Sequence, residues 1–178
     1  MDIKRLNWGC GDWVVPGWVN SDLKGGDGVV ACDIRQGLPF ENDTFDYVVS
    51  IHALPEIPYS KLVTVLGELR RVLKPGGVLR LGLPDAEKGF NAYLRGDLDY
   101  FLIPDEHAKS VGAKLITQLL WYGYNASLFT ADFVEELLQR ADFHEVVRCG
   151  FGETASEYAD IVELDNREPE SLFVEATK

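Results

Sequence analysis

Arg5-Leu6-Asn7-Trp8-Gly9-Cys10-Gly11-Asp12 is the stretch of this sequence that decides the fold. It predicts a short strand, residues 3–7, that runs directly into a turn bracketed by two glycines. Glycine has no Cβ and tolerates positive φ, so such a turn lets a ligand lie against bare backbone. We therefore expect a binding site at the end of this strand, to which the rest of the chain brings further groups.

Strands and helices alternate along the rest of the chain. Further strands are predicted at residues 18–21, 29–32, 45–51, 78–83, 146–149 and 171–176. Helices are predicted over residues 60–74 and 130–141, with two more in an aromatic-rich region between them, and residues 150–170 are predicted to be a loop. This alternation indicates an α/β fold with a mostly parallel sheet.

Composition limits the class of protein. At 178 residues, the chain is long enough for one domain with a sizeable core and hardly for two. Its 46% hydrophobic content excludes a disordered chain, and no apolar run reaches the ~20 residues that span a bilayer. Residues 1–5 lack the apolar region of a signal peptide, so we expect a cytoplasmic protein without membrane contact.

Charge and cysteine content limit the possible partners and metal sites of this protein. The formal net charge is −12, whereas a protein that binds duplex nucleic acid needs a basic surface. The densest basic cluster, in residues 70–74, ends a predicted helix, where the helix dipole already explains it. We therefore expect no nucleic-acid partner. Cys10, Cys32 and Cys149 are odd in number and lack CxxC spacing, which disfavours disulfides and a zinc site.

Polar side chains follow three successive strands of the predicted sheet. In open α/β sheets, ligands bind at the carboxyl ends of the strands, and Asp22, Asp33 and His52 stand at those ends. A carboxylate after the second strand suits a ribose diol, because it accepts two hydroxyl protons. A carboxylate after the third suits an exocyclic amine such as that of adenine. Either aspartate alone could equally be a turn residue or a cap, but the ordered set favours a nucleotide-type cofactor.

The glycine turn distinguishes between cofactors. A dinucleotide fingerprint needs a third glycine where Val14 stands, and its acidic residue comes later than Asp22. Pro16 and Gly17 break any helix that could hold a pyrophosphate, and Asp12 would repel one. S-adenosylmethionine has no phosphate and carries a sulfonium cation. The turn therefore favours S-adenosylmethionine over NAD.

The residues 6–11, followed by 16–22, resemble the opening of class I S-adenosylmethionine-dependent methyltransferases, most closely the compact type 11 group. Three further parts of the sequence match that family in order: residues 38–40 with 45–48, residues 69–77, and residues 171–176. The resemblance implies a Rossmann-like, doubly wound sheet of about seven strands with the last antiparallel. The link between the first two strands is short for a parallel crossover, so we expect the first crossover helix to be short or absent.

The resemblance also implies an activity and a site. It implies methyl transfer from S-adenosyl-L-methionine to a small-molecule acceptor, such as a sugar or another metabolite. The candidate cofactor-binding residues are Gly9, Cys10, Gly11, Asp22, Leu23, Asp33, Ile34, Ile51 and His52. His52 is also a candidate general base, although it could equally be only a wall of the cofactor site. His107 is a weaker catalytic candidate, because a lone histidine before a helix is more often exposed or a cap. No metal site is expected.

We expect residues 1–178 to form a single methyltransferase domain, with an aromatic-rich insert at about 86–128 on the acceptor side. One alternative is a non-catalytic subunit that binds S-adenosylmethionine or S-adenosylhomocysteine, or a partner subunit of a methyltransferase complex. It is suggested by the altered segment between His52 and Glu56, and by the absence of a helix before the first strand to roof the site. An NAD-type oxidoreductase is disfavoured by the turn. Whether the chain forms a homodimer is left open.

Overall fold

A seven-stranded sheet organises the computed structural model, which describes residues 3–178; Met1 and Asp2, which the predicted domain includes, lie outside the described residues. The strands are β1 (Arg5–Trp8), β2 (Val19–Asp22), β3 (Val29–Ala31), β4 (Phe45–Ile51), β5 (Leu73–Pro84), β6 (His144–Cys149) and β7 (Ser171–Thr177). Their order in the sheet is β3-β2-β1-β4-β5-β7-β6, and β7 runs antiparallel to both of its neighbours. The predicted α/β fold with an antiparallel last strand is confirmed.

Two helices cover one face of the sheet. The α-helices of residues 3–178 are α1 (Leu62–Val72), α2 (Ala86–Arg95), α3 (Val111–Leu120) and α4 (Ala131–Arg140). Leucines at helical spacing on α1 are fully buried, and α1 and α4 share the main core with β1, β4, β5 and β7. Because none of these helices exceeds 11 residues, no helix within residues 3–178 is long and apolar enough to cross a bilayer.

The first crossover contains no helix, as predicted. Residues 9–18 connect β1 to β2 as turns and extended chain. Trp18 fills part of the space beside the sheet, because its ring packs edge-on against Tyr47 with centroids 5.3 Å apart. Trp13, by contrast, is 50% exposed and contributes little to this packing.

The segment predicted as a loop, residues 150–170, covers the second face of the sheet. It contains two short 3-10 helices, Ala159–Val162 and Glu168–Glu170. Ile161 and Leu164 are buried in a second core with Trp18 and Tyr47. A parallel sheet needs cover on both faces, and here this segment supplies much of the cover that a crossover helix usually gives.

A buried ion cluster holds residues 150–170 against β5. Arg80 is fully buried, and its Nε donates to Asp165 Oδ1 at 2.7 Å. Its Nη1 donates to Glu175 Oε1 on β7 at 2.6 Å. Arg80 therefore joins two strands of the sheet to the segment that covers them.

Two predicted element boundaries are wrong for local reasons. The helix predicted from residue 60 begins only after Lys61, because residues Tyr59–Lys61 form a 3-10 turn. Strand β5 begins directly at the end of α1, because Leu73 pairs with Phe45 before the chain reaches its Pro-Gly-Gly turn.

Candidate active site

A cleft lies where β1, β2, β3 and β4 end. This main cleft has a volume of about 210 Å³. Its walls include seven of the nine predicted cofactor-binding residues: Gly9, Gly11, Asp22, Leu23, Asp33, Ile34 and His52. The strand ends therefore converge at one edge of the sheet, as expected of an open α/β fold.

A wider cavity adjoins the main cleft. This wide cavity, of about 470 Å³, shares Gly9, Gly11 and His52 with the main cleft. The other two predicted residues, Cys10 and Ile51, line it, together with Arg167 from the segment that covers the second face. All nine predicted cofactor-binding positions thus line two adjoining cavities.

The two glycines of the turn differ in what their missing side chains allow. Gly9 and Gly11 have φ of +71° and +52°, a region that side chains disfavour. A Cβ on Gly9 would overlap the Cβ of Ala53, which follows β4. A Cβ on Gly11 would meet no atom within 4 Å. Gly9 therefore lets the loop after β4 approach the turn, whereas Gly11 leaves bare backbone beside open space.

Asp22 is held at the end of β2 by backbone donors. The amide of Gly11 donates to its Oδ2 at 2.9 Å, and the amide of Lys24 donates to its Oδ1 at 3.1 Å. Each carboxylate oxygen can accept more than one hydrogen bond. The contacts fix the carboxylate at the main cleft and leave it able to accept from a diol.

The Asp33 carboxylate accepts more hydrogen bonds from neighbouring residues than the Asp22 carboxylate does. Its carboxylate forms a bidentate pair with the Arg35 guanidinium, at 2.7 Å and 2.9 Å, and it caps the short helix Ile34–Gln36. The Arg35 hydrogen bonds hold the pKa of this carboxyl below its usual range. Asp33 is thus both a cleft residue and a cap, the two interpretations that its sequence position left open.

His52 stands where the cavities meet. Its φ is +57°, which is uncommon outside glycine, and its Nε2 lies 2.7 Å from Ser171 Oγ. Burial, with a smaller contribution from the charge of Arg167, lowers the pKa of His52 to about 3. The imidazole is therefore neutral at pH 7 and a weak base.

The other histidine candidate lies outside these cavities. His107 is exposed, and its Nδ1 is 2.7 Å from the hydroxyl of Tyr122. It lines none of the cavities around His52. The structure therefore does not bring His107 together with the predicted cofactor-binding residues.

A third cavity lies on the side of His52 that faces the insert. This small cavity has a volume of about 110 Å³. It is lined by His52, Glu56, Pro84, Gln118, Trp121, Asn125, Arg167 and Glu170. His52 and Glu56 also line the main cleft, so the two spaces share part of their walls.

The sequence analysis did not predict several residues of the small cavity. Glu170 and Arg167 precede β7, whose first residue, Ser171, pairs with the last residue of β5, Pro84. Because β7 is antiparallel, its amino end lies at the edge where the parallel strands end, and this topology could have indicated them. Trp121 reaches the cavity through the packing of the insert, which no spacing in the sequence indicates.

Comparison with known proteins supports this fold and family. Residues 18–81 match the family described as "Methyltransferase domain". The chain is 32% identical over 131 residues to a demethylmenaquinone methyltransferase of Lactococcus lactis, covering 68% of this chain and 48% of that protein. The chain spans less than half of the length of the curated relatives that it matches.

Solved structures share the whole fold at low identity. One is described as a SAM-dependent methyltransferase, possible histamine N-methyltransferase, of Thermotoga maritima, with a TM-score of 0.61 at 19% identity, covering 100% of this chain and 83% of that one. Another is phosphoethanolamine N-methyltransferase 2 of Haemonchus contortus in complex with S-adenosyl-L-methionine, with a TM-score of 0.55 at 15% identity, covering 100% and 49%.

The sheet order and these likenesses define the class I methyltransferase fold. The family match over residues 18–81 agrees with this fold, so the chain is similar to class I S-adenosylmethionine-dependent methyltransferases in both sequence and structure.

Proposed function

We propose that this chain binds S-adenosyl-L-methionine in the main cleft and the wide cavity and transfers its methyl group to a small-molecule acceptor. The observation that carries the proposal is the convergence of nine sequence-predicted positions on two adjoining cavities. When bound, the cofactor supplies a methyl group on a positively charged sulfur.

The residues present suit that cofactor. Asp22 offers free lone pairs to a ribose diol, and Ile34 offers a buried apolar wall beside Asp33. Gly11 leaves space against the backbone. Asp12 and Asp22 place negative charge at the turn, which favours a cation and opposes a pyrophosphate.

Positioning is the main contribution that we assign to this site. In-line displacement is accelerated when the two reacting atoms are held aligned away from water. His52 separates the cavities and is held by Ser171, which suits it to shape the junction between cofactor and acceptor. With a pKa of about 3, it is poorly suited to accept a proton at neutral pH.

The names of similar proteins do not agree on one class of methyl acceptor. The Lactococcus relative is named for a quinone and the Haemonchus structure for an amine, so the names of similar proteins point in different directions. We place the acceptor beside the insert, in or near the small cavity, because this cavity shares His52 and Glu56 with the main cleft.

Calorimetry with S-adenosylmethionine tests the proposal. Asp22→Asn leaves one acceptor oxygen in place of two, and we expect the cofactor affinity to fall by ~1–3 kcal/mol, or about 5- to 150-fold. Asp27→Asn, in the exposed loop between β2 and β3, is the matched control and should leave affinity unchanged.

Four outcomes would contradict parts of this proposal. Undetectable S-adenosylmethionine binding by the wild-type chain would refute it, as would a melting temperature raised by NAD instead. An unchanged affinity for Asp22→Asn would remove Asp22 from the site. Cofactor binding without conversion of S-adenosylmethionine to S-adenosylhomocysteine in the presence of any acceptor would favour the alternative of a non-catalytic or partner subunit.

A further inference from the structure

The small cavity is built from polar side chains that belong to three separate parts of the chain. His52 and Glu56 come from the loop after β4, Gln118 comes from α3, and Arg167 and Glu170 come from the segment before β7. Gln118 and Glu170 are 6% and 4% exposed, respectively. Buried polar side chains nearly always have hydrogen-bond partners, so a cavity lined by them is suited to a polar ligand.

Two of these buried side chains have polar atoms that remain available. Gln118 Oε1 accepts from the amide of Leu102 at 2.7 Å, whereas its Nε2 has no protein partner within residues 3–178. Glu170 Oε1 accepts from Arg167 Nη1 at 3.3 Å, and among the described contacts its other oxygen has none. The cavity therefore presents one unused donor and at least one unused acceptor to whatever fills it.

The charges around the cavity are unequal. Arg167 offsets Glu170 and lies over the Trp121 ring, with 5.3 Å between the guanidinium carbon and the ring centroid. Glu56 pairs with no cation in the part of the chain that the structure describes, although it lines both the small cavity and the main cleft. Glu56 is thus the free carboxylate at the boundary between the two spaces.

We propose that the small cavity binds a hydroxyl group of a polyhydroxylated or phenolic acceptor, which accepts from Gln118 Nε2 and donates to Glu56. A hydroxyl can do both at once, whereas an ammonium group has no lone pair for Gln118. This inference rests on the proposed methyltransferase function and assigns its acceptor class and its proton acceptor.

The chemical step follows from this arrangement. Glu56 takes the hydroxyl proton as the new O–C bond forms, the electron pair of the broken C–S bond stays on sulfur, and Glu56 then releases the proton to water. Glu56 is exposed at the cavity wall, but partial desolvation there, and then the nearby charge of Asp22, raise its pKa, which makes its carboxylate a better base than a fully solvated one.

Kinetics with a defined panel test the acceptor class. The probes are glycerol, methyl glucoside and catechol, compared with butylamine and benzylamine, and the product measured is S-adenosylhomocysteine. We expect turnover with at least one hydroxylated probe, and a kcat about 10²- to 10⁴-fold lower for Glu56→Gln with little change in KM. Glu41→Gln, at an exposed position that lines none of the three cavities, is the matched control and should retain the wild-type kcat.

Gln118→Glu tests the hydrogen-bond donor. This variant keeps an oxygen for the amide of Leu102 and replaces Nε2 with an oxygen that cannot donate. We expect the KM of the hydroxylated probe to rise several-fold while the affinity for S-adenosylmethionine stays the same. In ¹⁵N-labelled wild-type protein saturated with S-adenosylhomocysteine, the side-chain amide resonance that this variant removes should shift when the hydroxylated probe is added.

The outcomes separate this inference from the proposed function. Turnover confined to amines, wild-type kcat in Glu56→Gln, or a Gln118 resonance that no hydroxylated probe shifts would each overturn the inference. Calorimetry would still show S-adenosylmethionine binding in those cases. Loss of cofactor binding by the wild-type chain would instead refute the proposed function.

Discussion

Replacement of Gly9 by alanine should destabilise the protein by two separable mechanisms. The first is backbone strain, because Gly9 has a φ of +71°. The second is overlap, because the new Cβ would lie only 2.1 Å from the Ala53 Cβ. Gly11 shares the first mechanism, with a φ of +52°, but a Cβ there meets no atom within 4 Å. Gly11→Ala is therefore a matched control.

The expected magnitudes follow from these two mechanisms. A side chain in the left-handed region costs about 1–2 kcal/mol, and forcing an extra methyl into a packed region costs about 1–3 kcal/mol more. We expect Gly9→Ala to lower the free energy of unfolding by about 2–5 kcal/mol and Gly11→Ala by about 1–2 kcal/mol.

A double-mutant cycle isolates the overlap. Ala53→Gly removes the atom that collides with the new methyl, at a cost of its own of about 0.5–1 kcal/mol. In Gly9→Ala/Ala53→Gly, the overlap is absent and only the backbone strain remains. The two substitutions should therefore show a favourable coupling of about 1–3 kcal/mol.

Urea unfolding of the four proteins, with Gly11→Ala as a fifth, measures these free energies. The slope of the unfolding free energy against urea concentration should be similar in all of them, so that a change in midpoint reports stability. Equal losses for Gly9→Ala and Gly11→Ala, or additive losses in the cycle, would refute the steric explanation of Gly9.

Two other properties can be tested in the same assay. Asp165→Ala leaves the fully buried Arg80 without its bidentate partner and should lower the free energy of unfolding by about 3–5 kcal/mol. Asp160→Ala, at the more exposed Arg5 pair, is the control and should lower it by less than about 1 kcal/mol. Similar losses for the two variants would contradict the stabilising role of the buried cluster. The pKa of His52 is about 3 in the folded protein, against the ordinary value of 6.5 that we assign to the unfolded chain. Between these values the folded state binds fewer protons than the unfolded state, so stability is lost as the pH falls below 6.5. Between pH 7 and pH 5 this amounts to about 2 kcal/mol; His52→Gln should remove that part of the pH dependence, and an identical dependence in both proteins would contradict the low pKa.

Much of the fold could be predicted because its patterns are local. The strand over residues 45–51 was predicted exactly, since a run of β-branched and aromatic residues needs no distant partner to be recognised. The missing crossover helix followed from the length of the link before β2. The role of residues 150–170 could not be predicted, because their cover of the sheet depends on Ile161 and Leu164, which follow no period.

The candidate site also contains residues that the sequence predicts and residues that it does not. The positions at strand ends, such as Asp22 and His52, follow from topology and were predicted to lie together. The function of Gly9 in admitting Ala53 depends on tertiary packing, which the sequence does not display. The small cavity depends on the insert and on the amino end of β7, so Gln118 and Glu170 were outside any motif.

The cover of the second sheet face also has a consequence for the order of folding. Trp18 Nε1 donates to Glu163 Oε2 at 3.2 Å across 145 positions, and Arg5 Nη1 donates to Asp160 Oδ2 at 3.2 Å across 155 positions. Contacts so distant in sequence close large loops and slow folding. On the ribosome, this face stays uncovered until residues 150–170 have emerged. The glycine turn, although synthesised well before this segment, thus gains Arg167 only after about 150 further residues have been added.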